Sequence, residues 1–109
     1  MGITKTDGFT PETTQMAEVL KALGHPARLS IMLHLAKSPS CICGDIVEEL
    51  PLAQSTVSRH LSELKKAGLI QGTISGNNLC YCINPDVWKK VETFFTEVAT
   101  SYAVNNSCC

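Results

Sequence analysis

The chain carries no surplus of positive charge: 9 Lys and Arg stand against 10 Asp and Glu over 109 residues, for a formal net charge of −1. That excludes a general polyanion binder, whose whole surface would be basic. No stretch approaches the length of a membrane span, and Met1 to Phe9 contains no apolar run of the kind a secretory signal requires. The expectation is a cytoplasmic protein with no membrane partner. Cys-x-x-Cys is absent, as are a Gly-rich phosphate loop, a Cys followed five residues later by Arg, and a strand-helix alternation suited to a redox sheet fold. A thiol enzyme is therefore the least favoured class, and no organic cofactor is expected.

The chain is 44% hydrophobic, enough at this length for one compact domain with a modest core. Small domains of this kind often gain stability by dimerising. Six cysteines fall in three close pairs, Cys41 with Cys43, Cys80 with Cys82, and Cys108 with Cys109. In a reducing compartment such clusters serve as ligands or redox switches more often than as structural bridges. Charge is segregated along the chain: residues 54–72 carry Arg59, Lys65 and Lys66 against Glu63 alone, whereas residues 41–50 carry Asp45, Glu48 and Glu49 with no base. Any nucleic-acid contact must come from that local basic patch.

Residues 1–10 read as a flexible leader, and Thr10-Pro11-Glu12 opens a helix with an N-cap followed by Pro at the first position. Met16, Val19, Leu20 and Leu23 recur at helical spacing. Gly24-His25-Pro26 ends that helix and starts a second, in which Leu29, Ile31, Met32, Leu33 and Leu35 are apolar on most sides and predict a place in the core. A short helix from Cys43 to Leu50 stops at the Leu50-Pro51 step. The turn Pro51-Leu52-Ala53 leads to a helix from Gln54 to Lys66, closed by Gly68. Two short helices joined by a tight turn form a helix-turn-helix pattern. Val57, Leu61 and Leu64 face the core in this reading, leaving Gln54, Ser55, Thr56, Ser58, Arg59 and His60 to meet bases and phosphates of double-stranded DNA. Leu69 to Ser75 and Leu79 to Asn84 read as strands around Gly76-Asn77-Asn78, a two-stranded wing. Pro85 opens a last helix whose Val87, Trp88, Val91, Phe94, Phe95, Val98 and Tyr102 form a stripe wider than one small domain needs. Residues 11–104 thus form a single domain, with 105–109 as a Cys-containing tail.

This order resembles the ArsR/SmtB family of bacterial metal-responsive repressors over roughly residues 15–104. The resemblance rests on Ala22-Leu23-Gly24-His25-Pro26-Ala27-Arg28-Leu29, on Gln54-Ser55-Thr56-Val57-Ser58-Arg59-His60-Leu61 with Ala67-Gly68-Leu69-Ile70, and on Ser40-Cys41-Ile42-Cys43-Gly44-Asp45. The last segment is similar to the cysteine box of the arsenic, antimony, cadmium and lead sensors. The resemblance implies an α+β, mainly α, winged helix-turn-helix that forms a homodimer through its first and last helices and leaves its operator when metal binds. The chain also departs from the family pattern. A third cysteine of the box would fall at Ile46, residues 86–102 lack the His of a last-helix zinc site, and Asn77 replaces an Arg frequent in the wing.

Soft thiolates favour thiophilic ions, and a position at a helix start would lower a thiol's pKa. Two thiols are few for structural zinc, which takes four ligands. As(III) or Sb(III), bound by two or three thiolates, suits the count better. The reading therefore places the inducer at Cys41 and Cys43, with Cys108 or Cys109 as a third donor. Cys80 and Cys82, two apart on one strand face, are assigned to packing in the wing. A thiol-redox or persulfide sensor, or a sensor of Cd- or Pb-type divalent ions, remains an alternative.

Overall fold

The computed structural model describes residues 8–38, 41–43, 52–75 and 78–105. Thr10 caps α1 (Pro11–Leu23) by accepting the Thr13 amide at 3.1 Å, with Pro11 at the first helical position. His25 does the same for α2 (Pro26–Ala36), its Nδ1 accepting from the Ala27 amide at 3.0 Å. β1 (Ile42–Cys43) follows, then α3 (Gln54–Lys66), β2 (Ile70–Ser75), β3 (Asn78–Ile83) and α4 (Pro85–Asn105).

α3 ends in a Schellman motif: Leu69 N donates to Leu64 O at 3.0 Å, and Gly68 N donates to Lys65 O at 2.9 Å. Gly68 supports it with φ +86°, which costs other residues about 1–2 kcal/mol. The reversal drops Leu69 into the core directly beneath Leu64, both fully buried. Asn84 then ties the start of α4 to this same turn. Its amide side chain donates to Gly68 O at 2.9 Å, its Oδ1 accepts from Asp86 N, and Trp88 Nε1 donates to Leu69 O at 3.1 Å. The exit of α3, the hairpin and the first turn of α4 therefore form one rigid corner.

The sheet runs β1-β3-β2, antiparallel throughout, so a short strand joins the expected two-stranded wing. The turn expected at Gly76-Asn77-Asn78 is shorter, because Asn78 belongs to β3 and pairs with Ser75; the two residues between, 76 and 77, lie outside the described residues. Gly72, at φ +148°, brings β2 close to β3, where an added Cβ would meet the Cys80 carbonyl. Strand alternation turns Tyr81 inward with Ile70, and Ile42 and Ile83 pack on the edge of the same cluster.

The core joins Val19, Ala22 and Leu23 of α1, Ile31, Met32 and Leu35 of α2, Val57, Leu61 and Leu64 of α3, Leu69, Ile70 and Tyr81 of the hairpin and Val91 of α4. The second helix is less central than its composition predicts. Leu29 and Leu33, one turn apart, lie exposed on its other face. Cys43 also departs from expectation, because it belongs to a strand paired with β3 instead of starting a helix. The remainder of that expected helix, to Leu50, lies outside the described residues, as do Cys108 and Cys109.

Leu61 is fully buried on α3, a helix that packs against both α1 and α2. Leu61→Ala is expected to lower unfolding free energy by about 2–5 kcal/mol, read from urea denaturation. A loss under 1 kcal/mol would mean that α3 is not seated as described.

Candidate nucleic-acid interface and thiol site

α3 is amphipathic by construction. Val57, Leu61 and Leu64 follow the i, i+4, i+7 stripe and are buried, whereas Ser55 and Arg59 are exposed and Thr56 and Ser58 are half-buried. Gln54 is its first residue, and Ala53 at the N-cap makes no side-chain hydrogen bond to it. With Lys65 and Lys66 in the last turn, the helix presents a cationic, hydroxyl-rich face outward.

His60 does not share that face. It is 7% exposed, one position before Leu61 and three after Val57, at the edge of the apolar stripe. Arg28 Nε donates to its Nδ1 at 3.0 Å, and the His25 ring lies 4.4 Å away, centre to centre. Arg28 also donates through Nη1 to Ala22 O at 3.1 Å. One guanidinium thus fastens the last turn of α1, the first turn of α2 and the middle of α3. His60 positions the outward-facing helix and cannot reach a base edge from inside. The signal was present in the sequence, since a residue at i+3 lies about 60° around the helix from i, on the flank of an i, i+4, i+7 stripe.

The accepting Nδ1 requires neutral His60 with its proton on Nε2. Burial, foremost, holds the His60 pKa below its usual 6.5, and the neighbouring His25, Arg28 and Arg59 act in the same direction. Burial likewise pushes the Tyr81 phenol upward, and among the described residues its hydroxyl is a buried polar atom without a hydrogen-bond partner.

The cysteines come together differently from the sequence reading. Ile42 pairs with Tyr81 and Cys43 with Cys80 across the β1–β3 ladder. Cys41 is disulfide-bonded to Cys82, Cα to Cα 4.4 Å, across 41 residues of chain, and Cys80 is disulfide-bonded as well. Cys80 and Cys82 are therefore sulfur partners rather than packing residues. Tyr81 between them takes the core face, so they project from the opposite one. The clue in the sequence was the repetition of Cys-x-Cys, which gives two strands a matching sulfur spacing. Among the described residues no three His, Cys, Asp or Glu side chains gather into a ready ligand cluster. Among them, too, no helix is long and apolar enough to cross a membrane.

Residues 25–71 match the family described as bacterial regulatory proteins of the arsR family. The chain is 42% identical over 76 residues to the uncharacterised HTH-type transcriptional regulator MJ1325 of Methanocaldococcus jannaschii, covering 69% of this chain and 84% of that protein. The chain belongs to the ArsR/SmtB family of transcriptional regulators. The HTH-type transcriptional repressor SmtB of Mycobacterium tuberculosis is 41% identical over 64 residues, covering 59% of this chain but only 47% of its own length. Among solved structures, the homodimeric winged helix-turn-helix DNA-binding domain Mb0332 of Mycobacterium bovis superposes with a TM-score of 0.63 at 22% identity, over 99% of this chain and 98% of that one. The ArsR/SmtB fold accounts for α3 followed directly by a hairpin, and the relatives that share it are transcriptional regulators.

Neutral His60 contributes its full stabilisation above the unfolded-state pKa of 6.5. That contribution is lost as pH falls through 6.5 toward the lower folded-state value, because the unfolded chain then binds the extra proton. The melting temperature is expected to fall between pH 7.5 and 5.5, with a shallower slope in His60→Gln. Identical slopes for the two proteins would refute the assignment.

Proposed function

We propose that this chain is a homodimeric, cytoplasmic repressor that binds operator DNA through α3 and the hairpin and leaves it when As(III) or Sb(III) binds thiolates at Cys41 and Cys43. The observation that carries the reading is the β1–β3 ladder, which joins the cysteine strand preceding α3 to the hairpin following it. An ion that alters the geometry at β1 acts on both flanks of the reading helix. The ionic chemistry fits the donors, since thiolates prefer soft, thiophilic ions.

On the DNA side, Arg59 can take a guanine edge bidentately or a phosphate. Ser55, Thr56 and Ser58, with the uncapped amides of the first turn of α3, suit phosphate oxygens. Lys65 and Lys66 add counter-charge where the rest of the chain has none to spare. For the dimer, the support lies on α4. Its far half carries Phe95 at 53%, Val98 at 53% and Tyr102 at 66% exposure, spaced three and four apart as one apolar stripe.

A second reading, redox control, is favoured by the Cys41–Cys82 disulfide itself. A peroxide would form it by taking two electrons and two protons from the two thiols, giving two molecules of water or alcohol and water. Cellular thiols oppose that state in the cytoplasm, which keeps the metalloid reading in front.

Operator binding by the reduced protein, titrated with arsenite, tests the two readings. Occupancy is expected to fall about 5- to 150-fold, the range of a 1–3 kcal/mol coupling, and Cys41→Ser with Cys43→Ser should abolish the response. An unchanged affinity at thiol-saturating arsenite would sink the metalloid reading, and release by peroxide in metal-free buffer would install the redox one. Separately, Arg59→Ala should weaken operator binding by about 1–3 kcal/mol without lowering thermal stability.

A further inference from the structure

The cysteine box offers two thiols and has Ile46 at the position of a third. We propose that the third ligand for a trivalent thiophilic ion is Cys82 of the hairpin, so that the ion is held between β1 and β3. This rests on the metalloid reading above and names the donor that completes it.

Three observations carry the assignment. Cys41 and Cys82 stand directly opposite each other with Cα atoms 4.4 Å apart, close to the spacing of about 4.5 Å at which side chains of facing strands approach most nearly. Their sulfurs already meet, as their disulfide shows, so two thiolates from different strands can share one ion without a change of fold. Cys41 is exposed and Cys82 half-buried, on the sheet face away from the core, so an ion can reach them from solvent.

Chain geometry weighs against the C-terminal pair in the same subunit. α4 spans 21 residues, about 30 Å at 1.5 Å per residue, and it begins two residues after β3 ends. Cys109 lies four residues beyond Asn105 and can return at most about 14 Å at full extension. The three steps from Cys82 to Pro85 close at most about 10 Å more. Even with both segments fully extended and aimed at each other, the Cα of Cys109 stays about 6 Å or more from that of Cys82, so the tail of the same chain meets this site only at the limit of its reach.

The chemistry balances without net oxidation. A low-molecular-weight thiol first reduces the Cys41–Cys82 bond and the disulfide that holds Cys80, giving four protein thiols and two molecules of its own disulfide. Arsenious acid then exchanges its three hydroxides for three cysteine sulfurs: three As–S bonds form, the three thiol protons leave with the hydroxides as three waters, and arsenic stays trivalent. The product crosslinks the strand before α3 to the strand after it. A bridging ion also adds bulk where a direct sulfur contact had been, so it shifts β1 relative to the hairpin.

X-ray absorption of the phosphine-reduced protein loaded with one equivalent of arsenite counts the sulfurs, alongside arsenite titration of operator release. Wild type is expected to show three As–S bonds. Cys82→Ser should show two and need at least tenfold more arsenite for half-release, while binding the operator within twofold of wild type when no arsenite is present. Cys108→Ser with Cys109→Ser should match wild type in both measurements. Three sulfurs retained in Cys82→Ser would overturn the assignment, as would loss of the third sulfur in Cys80→Ser or the tail variant instead. No arsenite bound by reduced wild type would overturn the metalloid reading and this assignment together. A Cys82→Ser protein that has lost operator binding without arsenite is replaced by Cys82→Ala, judged by the same sulfur count.

Discussion

Among the described residues, the contact that ties the cysteine strand before α3 to the hairpin after it is the pairing of β1 with β3. It consists of two residue pairs, Ile42 with Tyr81 and Cys43 with Cys80, flanked by the Cys41–Cys82 bond. So short a ladder has little stability of its own. The inward residues supply the rest, since Tyr81 is fully buried and Ile42 packs on the core beside it. The two faces of the same strands thus divide the work: the hydrophobic face holds the strands against the domain, and the opposite face carries the disulfide-bonded cysteines. When Cys41 and Cys82 are joined, the loop they close contains the whole reading helix. In the chain-entropy picture a crosslink spanning 41 residues is worth about 4 kcal/mol, so the state of two sulfurs weighs heavily in a domain of this size.

The opposite side of α3 is held by a different kind of contact. Arg28 spends its donors on Ala22 O and His60 Nδ1, and His25 both caps α2 and lies against the His60 ring. These are directional, polar and partly buried contacts, and they fix rotation of the helix about its axis more tightly than Val57, Leu61 and Leu64 can alone. A helix held by hydrogen bonds toward α1 and α2 and by packing against β2 of the hairpin can pivot as a unit without melting. That is the mechanical requirement for a regulator whose DNA contacts must be lost while its fold persists.

The sequence made much of this legible, and its failures have physical causes. Helix starts were readable because Thr10-Pro11, His25-Pro26 and Asn84-Pro85 place a cap before a proline, a local signal that tertiary structure does not override. The end of α3 was equally local, since Gly68 alone permits the left-handed turn. His60 was misread because residue type outweighed position: a polar ring on a reading helix invites a DNA contact, while helical geometry puts it at the edge of the buried stripe. The strand at Ile42–Cys43 was misread because two residues carry no periodicity to detect, and their state is set by β3, some forty residues away. The pairing of Cys41 with Cys82 follows from that register and from nothing local, so the sequence reading turned instead to the tail cysteines, farther along the chain, for a third donor.

The charge pattern then explains why control can be exerted with small motions. A strongly basic surface would hold DNA through many phosphate contacts whatever the angle of the reading helix, and tilting one element would release little. Here the net charge is −1, and the cationic groups of residues 54–72 lie on α3 itself. Attraction and readout therefore share one rigid body, and displacing that body removes both together. In a dimer joined along the exposed stripe of α4, the two reading helices must also meet successive major grooves about 34 Å apart. A shift at the sulfur face is repeated in each subunit, so an angular change too small to disturb either core misaligns the pair.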